Sequence, residues 1–227
     1  MRTNDQALAL AIDRWNKSAP PPRDVTLLAL FEQRALRTLT DNRPLARGVL
    51  RRLPALADDI AAQTDLFRLA ATGSVPRTRP RLGPAPPPLR LLRWYHAAQR
   101  RFKIRWQLLA AINFVESAFG KVRNPSTAGA QGPMQFEPAT WRAYGLGGNI
   151  DNPRDAILAA ANYLTANDGV RHERNALFHY NHSPLYVDAV ERYANRIARN
   201  RNSFFEYYSR QVYFRTASGS RRVTGPR

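Results

Sequence analysis

The chain of 227 residues contains no cysteine, which excludes disulfides, thiolate metal sites and cysteine nucleophiles without identifying a compartment. Long apolar runs are missing as well, and nothing approaches the roughly 18 consecutive apolar residues of a membrane span. Near the N-terminus, residues 7–12 form a short apolar patch that meets Asp13 and Arg14 at once, which is not the apolar stretch of a secretion signal. Lysine is nearly absent, with only Lys17, Lys103 and Lys121, so the net charge of +18 rests on arginine. A surface this basic attracts anionic polymers, lipid heads and nucleic acid by salt-sensitive forces. A GC-rich coding sequence explains the Arg and Ala excess equally well, so charge alone selects no function. Acidic residues also leave a gap: none lies between Asp65 and Glu116, where ten Lys and Arg residues occur.

Glu116 ends that gap in an unusual place. At helical spacing it shares a stripe with Leu108, Leu109, Ile112 and Phe119, the side of the helix that should face a core. A carboxylate desolvated in this way takes up a proton at higher pH than a free glutamate, which suits a general acid near neutrality. A glutamate paired to an arginine, or one snorkelling at the helix end, fits the same stripe. The helix runs into residues 120–136, too rich in Gly, Pro, Asn and Ser for an element interior and therefore a structured loop. That loop delivers Met134, Gln135 and Phe136 to a new helix start at Pro138. A later helix ends in Phe178-His179-Tyr180-Asn181-His182.

Three segments, Glu116-Ser117, Gly132-Pro133-Met134-Gln135 and Tyr180-Asn181, together resemble the signature of the lysozyme-like lytic transglycosylases. In that family the pieces read Glu-Ser, Gly-Leu-Met-Gln and Ala-Tyr-Asn, in the same order and at about these separations. The resemblance spans residues 89–199 and is closest in character to Ala- and Arg-rich members of actinobacterial type. It implies a mainly α fold and cleavage of the bond from N-acetylmuramic acid to N-acetylglucosamine in peptidoglycan. It implies that Glu116 protonates the leaving oxygen and then takes the proton of the muramoyl 6-hydroxyl, leaving a 1,6-anhydro end. Ser117, Met134, Gln135, Phe136, Tyr180 and Asn181 then fall at substrate-binding or site-shaping positions, and no cofactor is implied. Helix-end or core duties remain open for Ser117, Met134 and Asn181, and core packing for Trp141. Pro133 stands where Leu is usual, His179 where Ala is common, and His182-Ser183 where many relatives carry Gly, which puts the far edge of the cleft in question.

The organisation expected from patterning is a helical accessory region over 1–72, a Pro-rich linker over 73–88, a lysozyme-like domain over 89–200 and a tail over 201–227. Helices are expected at 3–17, at 24–39 with Asp24 as its cap, and as two shorter pieces broken near Pro44 and Pro54. In the catalytic part they are expected at 89–101, 105–119, 138–144, from Asn152-Pro153 to 166, at 171–180 and from Ser183 onward. A small hairpin is expected in the tail. Either a free linker or a strap across the catalytic surface suits the Pro-rich stretch.

Other chemistries find less support. His172, Glu173, His179 and His182 match no zinc spacing, residues 147–151 lack the oxygens of a calcium loop, and Gly129 to Gly132 lack a phosphate-loop pattern. Two alternatives to a transglycosylase stay open: a hydrolytic lysozyme-type muramidase, and a non-catalytic basic module binding cell wall or nucleic acid. No motif for specific nucleic-acid recognition is present. The expected partners are peptidoglycan glycan strands and anionic wall polymers. The expected location is outside the cytoplasm, which requires a trimmed chain, a different start or another export route.

Overall fold

The computed structural model describes residues 2–73, 78–216 and 219–226, and within them the chain is mainly helical, with one hairpin near its C-terminal end. Four helices come first: α1 (Arg2–Arg14), α2 (Arg23–Asp41), α3 (Arg43–Leu50) and α4 (Ala57–Thr72), with a 3-10 turn at Pro54–Leu56 before α4. Pro44 and Pro54 open their elements instead of breaking them, because a first-turn residue has no helical partner for its N–H. The cap expected at Asp24 is not made. Helix α2 starts one residue earlier, behind Pro22, and Asp24 lies in its first turn.

Residues 74–77 of the predicted linker lie outside the described residues. The stretch from residue 78 onward forms a strap against the chain at 121–124. The Arg81 N–H donates to Asn124 Oδ1, Gly83 N–H donates to the Lys121 carbonyl, and Arg123 N–H donates to the Arg81 carbonyl. Leu82 and Val122 thereby form an antiparallel bridge.

The remaining helices are α5 (Pro88–Phe102), α6 (Trp106–Ser117), α7 (Pro138–Tyr144), α8 (Pro153–Ala166), α9 (Glu173–Tyr180) and α10 (Pro184–Arg199). Asn152 caps α8 through its side chain, whereas Ser183 precedes α10 without making a side-chain cap bond. The expected tail begins with one more helix, α11 (Asn202–Ser209), whose residues 203–209 are all buried. The hairpin comes last as β1 (Tyr213–Thr216) and β2 (Gly219–Arg222), antiparallel, with residues 217–218 outside the described set.

Helix α6 is the axis of the core. Leu108, Leu109, Ala110, Ala111, Ile112 and Asn113 are all buried, so the helix has no solvent face over this stretch and the expected stripe becomes full burial. Leu8, Ile12 and Trp15 of α1, Val25 and Ala29 of α2, and Ala62 of α4 belong to the same apolar cluster. An ion cluster joins them further. Asp59 on α4 is 1% exposed and pairs with Arg196 of α10 at 2.6 Å and with Arg210 at 3.5 Å, while Tyr207 of α11 donates to it at 2.6 Å. Helices α1, α2 and α4 thus share one core with the region that holds Glu116, while Ala46 of α3 packs in a smaller separate cluster with Leu36, Leu39, Leu56 and Ile60.

Candidate active site

The end of α6 is shaped by backbone strain. Ala118 and Phe119 both adopt the left-handed conformation, with φ of 51° and 64°, and Gly120 continues the turn at 84°. The Asn113 and Phe114 carbonyls accept the Phe119 and Ala118 N–H groups, closing the helix end. Burial of Phe119 (1% exposed, stacked on Phe114) offsets the strain. The chain then returns as a tight turn in which Gln131 and Phe136 exchange backbone hydrogen bonds of 2.8 and 2.9 Å. Gly132 is required there: its φ is 74°, and a β-carbon would meet the Ile150 carbonyl oxygen at 2.1 Å.

This turn is fastened beside Glu116 by two hydroxyls. Ser117 Oγ donates to the Pro133 carbonyl at 2.5 Å and accepts from Gly120 N–H at 2.8 Å. Tyr180 donates its hydroxyl to the Met134 carbonyl at 2.7 Å. The result is a cavity of about 300 Å³ walled by α6, the 126–137 loop, α8 and the α9–α10 turn. Phe136 meets Trp141, Tyr163 and Tyr180 edge to face, at centroid distances of 5.5 to 6.4 Å, and gives the cavity an aromatic side.

Glu116 is half-buried in this wall and, among the described residues, no Arg or Lys pairs with it. The reading of an arginine-paired glutamate is therefore set aside. Burial pushes its carboxyl up from 4.5 to about 7, and a hydrogen bond from Tyr186 pulls partly the other way. That bond, from the Tyr186 hydroxyl to Glu116 Oε1, is 2.6 Å long. Tyr180 and Tyr186 lie parallel with centroids 6.5 Å apart, and burial together with the Glu116 charge holds both phenols well above their ordinary value. Both stay protonated as donors.

Of the residues singled out in the sequence, Glu116, Gln135, Phe136, Tyr180 and Asn181 line one cavity. Ser117 and Met134 do not. Ser117 is 1% exposed and works as a fastener, and Met134 is fully buried beneath the turn. Gln135, at a left-handed φ of 49°, donates through Nε2 to the Gly132 carbonyl at 2.9 Å and the Asn124 carbonyl at 3.4 Å. Both amide hydrogens are occupied, so its free oxygen is an acceptor for whatever enters.

Sequence reasoning missed Tyr186, because a tyrosine in the first turn of an ordinary amphipathic helix carries no local mark. Glu137 directly precedes α7 and lines the cavity too, as do His179 and His182. Among the described residues, no group of three or more His, Asp or Glu is placed to hold a metal ion.

The cavity thus joins a desolvated acid, an aromatic side and a polar rim. Residues 94–202 match the family model of the transglycosylase SLT domain, and this part of the chain is a lysozyme-like SLT domain. Members of that family are peptidoglycan lytic transglycosylases. The matched stretch contains Glu116, the 126–137 loop, Tyr180, Asn181 and Tyr186, and excludes α1 to α4. No curated protein and no solved structure matches the chain. No helix among the described residues is long and apolar enough to cross a membrane.

Proposed function

We propose that the protein cleaves the β-1,4 bond between N-acetylmuramic acid and N-acetylglucosamine without water, with Glu116 as acid and then base. The single observation that carries this reading is the place of Glu116 in the wall of a cavity of about 300 Å³, hydrogen-bonded to Tyr186 and, among the described residues, to no cation, where burial pushes its carboxyl up to about 7. Near neutral pH such a group holds its proton often enough to give it and loses it readily enough to recover one.

In the first step the Glu116 proton passes to the bridging oxygen, the C1–O bond breaks, and its electron pair stays with the departing sugar. The oxocarbenium-like centre at C1 is met by the muramoyl 6-hydroxyl oxygen, whose proton returns to the Glu116 carboxylate. The 1,6-anhydro ring closes and the enzyme ends in its starting protonation state. Tyr186 steadies the carboxylate between the two transfers by donating to Oε1. Gln135 offers an acceptor oxygen to a sugar hydroxyl or acetamido N–H, and Phe136 offers an apolar ring edge. Substrate on this reading lies outside the cytoplasm, and so does the working protein.

One observation favours a second reading. Glu137 also lines the cavity, and two carboxylates about a glycosidic bond are the usual requirement for hydrolysis. Digestion of peptidoglycan by the wild-type chain, by Glu116→Gln and by Glu137→Gln separates these readings. Anhydromuramoyl products from the wild type and none from the variant support the proposal. Reducing-end products that depend on Glu137 support the hydrolase. Equal turnover by wild type and variant removes Glu116 from the chemistry.

A further inference from the structure

A second concavity lies at the opposite end of α6, ten residues and so about 15 Å along the axis from Glu116. It occupies about 670 Å³ at the α5–α6 elbow, with His96, Arg100, Lys103 and Trp106 in its walls. The elbow is preformed. Lys103 caps α5 in the left-handed conformation with φ of 63° and its N–H on the Gln99 carbonyl, while Gln99 Oε1 accepts the Trp106 N–H at 2.6 Å. His96 lies over Trp106 with ring centroids 5.3 Å apart.

The charges at this place are unbalanced. Arg105 is neutralised by Glu173 through two contacts of 2.7 and 2.5 Å, but Arg100, Lys103 and Arg201 have no acidic partner among the described residues. Arg201 and Arg100 stand close enough that, with burial as the larger cause, they hold the His96 imidazole below its ordinary value. Helix α5 contains no Asp or Glu and carries exposed Arg90, Arg93 and Arg100 on one side, within about 100° of arc at 100° per residue. None of the three takes part in an ion pair among the described residues, so a row of uncompensated cations about 15 Å long leads into the groove.

We propose that this elbow and the α5 arginine row form a track for a phosphodiester-linked polyol- or sugar-phosphate polymer, separate from the glycan cleft. Guanidinium forks match phosphate oxygens, and a row of them matches a repeating anion better than a single small ion. A nucleic acid fits less well. Base-stacking surfaces need exposed aromatic rings, whereas Trp106 is 9% exposed beneath His96, and no exposed large apolar side chain lies on α5 or α6. The inference concerns binding alone and stands whether or not Glu116 performs the chemistry assigned to it.

The test uses the full chain and a synthetic glycerol-phosphate oligomer, with polyglutamate and duplex DNA of matched charge as competitors. Three proteins are compared: the wild type, Arg100→Glu with Arg201→Glu, and a control of equal net charge, Arg47→Glu with Arg51→Glu on exposed positions in and just after α3. The groove variant is expected to lose at least about tenfold in affinity and to show a shallower salt dependence, the control to lose less than about threefold. In the wild type the oligomer is expected to raise the pH at which the His96 ring titrates by NMR. Cleavage of a soluble glycan fragment free of such polymer is expected to be unchanged in the groove variant. Equal weakening in both variants overturns the site, as does a His96 titration that the oligomer leaves unmoved. Tighter binding of DNA or polyglutamate overturns the assigned ligand class.

Discussion

Glu116 sits where ionising costs free energy, and this shows first in the response of the residue to pH. Its carboxyl titrates near 4.5 in an unfolded chain and at about 7 in the folded one, so folding takes up a proton between those values. Stability from this group is full below about pH 4.5 and declines as pH rises towards 7, by roughly 3 kcal/mol at most. Glu116→Gln keeps the acceptor for Tyr186 and removes the titration. Denaturant melts at pH 5 and pH 8.5 should show the variant gaining roughly 2–3 kcal/mol on the wild type across that interval. A constant difference would mean that Glu116 ionises freely. Tyr186→Phe acts in the other direction on the carboxylate, since the lost donor favoured the charged form. The alkaline limb of the pH–rate profile, expected at about 7 in the wild type, should move to higher pH with a slower maximal rate. Glu116 itself was legible in the sequence because a carboxylate in an apolar helix is conspicuous. Tyr186 was not, since its partner lies seventy residues away and only the fold joins them.

At the scale of elements, the helices arise from patterning and proline placement, and the loop between α6 and α7 from its Gly and Pro content. Two features were not legible in this way. Helix α11 is short, polar-aromatic and buried nearly all round, so residues 203–209 carry no amphipathic period to find. The fastening roles of Ser117 and Tyr180 are tertiary: one holds the Pro133 carbonyl and the other the Met134 carbonyl, and neither pairing leaves a trace in local spacing. Ser117→Ala leaves that carbonyl unsatisfied in a buried place and should cost about 1–3 kcal/mol in denaturant melts. It should also lower glycan cleavage, because the turn carrying Gln135 loses a fastening. An unchanged rate would make Ser117 purely structural. Tyr180→Phe should slow cleavage less than Glu116→Gln does.

For the whole molecule, the sequence suggested an accessory region, a linker and a catalytic region, because a Pro-rich stretch usually marks a boundary. In the structure the strap is hydrogen-bonded along residues 121–124, and α4 is tied to α10 and α11 through buried Asp59. Breaking that cluster by Asp59→Ala strands Arg196 and Arg210 without their buried partner and should cost about 3–5 kcal/mol by chemical denaturation. A loss under about 1 kcal/mol would show that the cluster is dispensable. A fragment beginning at residue 89 lacks Leu8, Ile12, Trp15, Val25, Ala29 and Ala62 of the shared core. It should bind a hydrophobic dye and melt without cooperativity, whereas an intact sharp transition would mark the SLT domain as independent.

The central claim is that the departing bond is closed by the substrate's own hydroxyl through Glu116. Digesting peptidoglycan in water enriched in heavy oxygen, then weighing the products, tests it directly. Closure by the 6-hydroxyl yields muropeptides lighter by one water than hydrolytic products, carrying no heavy oxygen and absent with Glu116→Gln. Reducing-end products that carry the heavy label would contradict it.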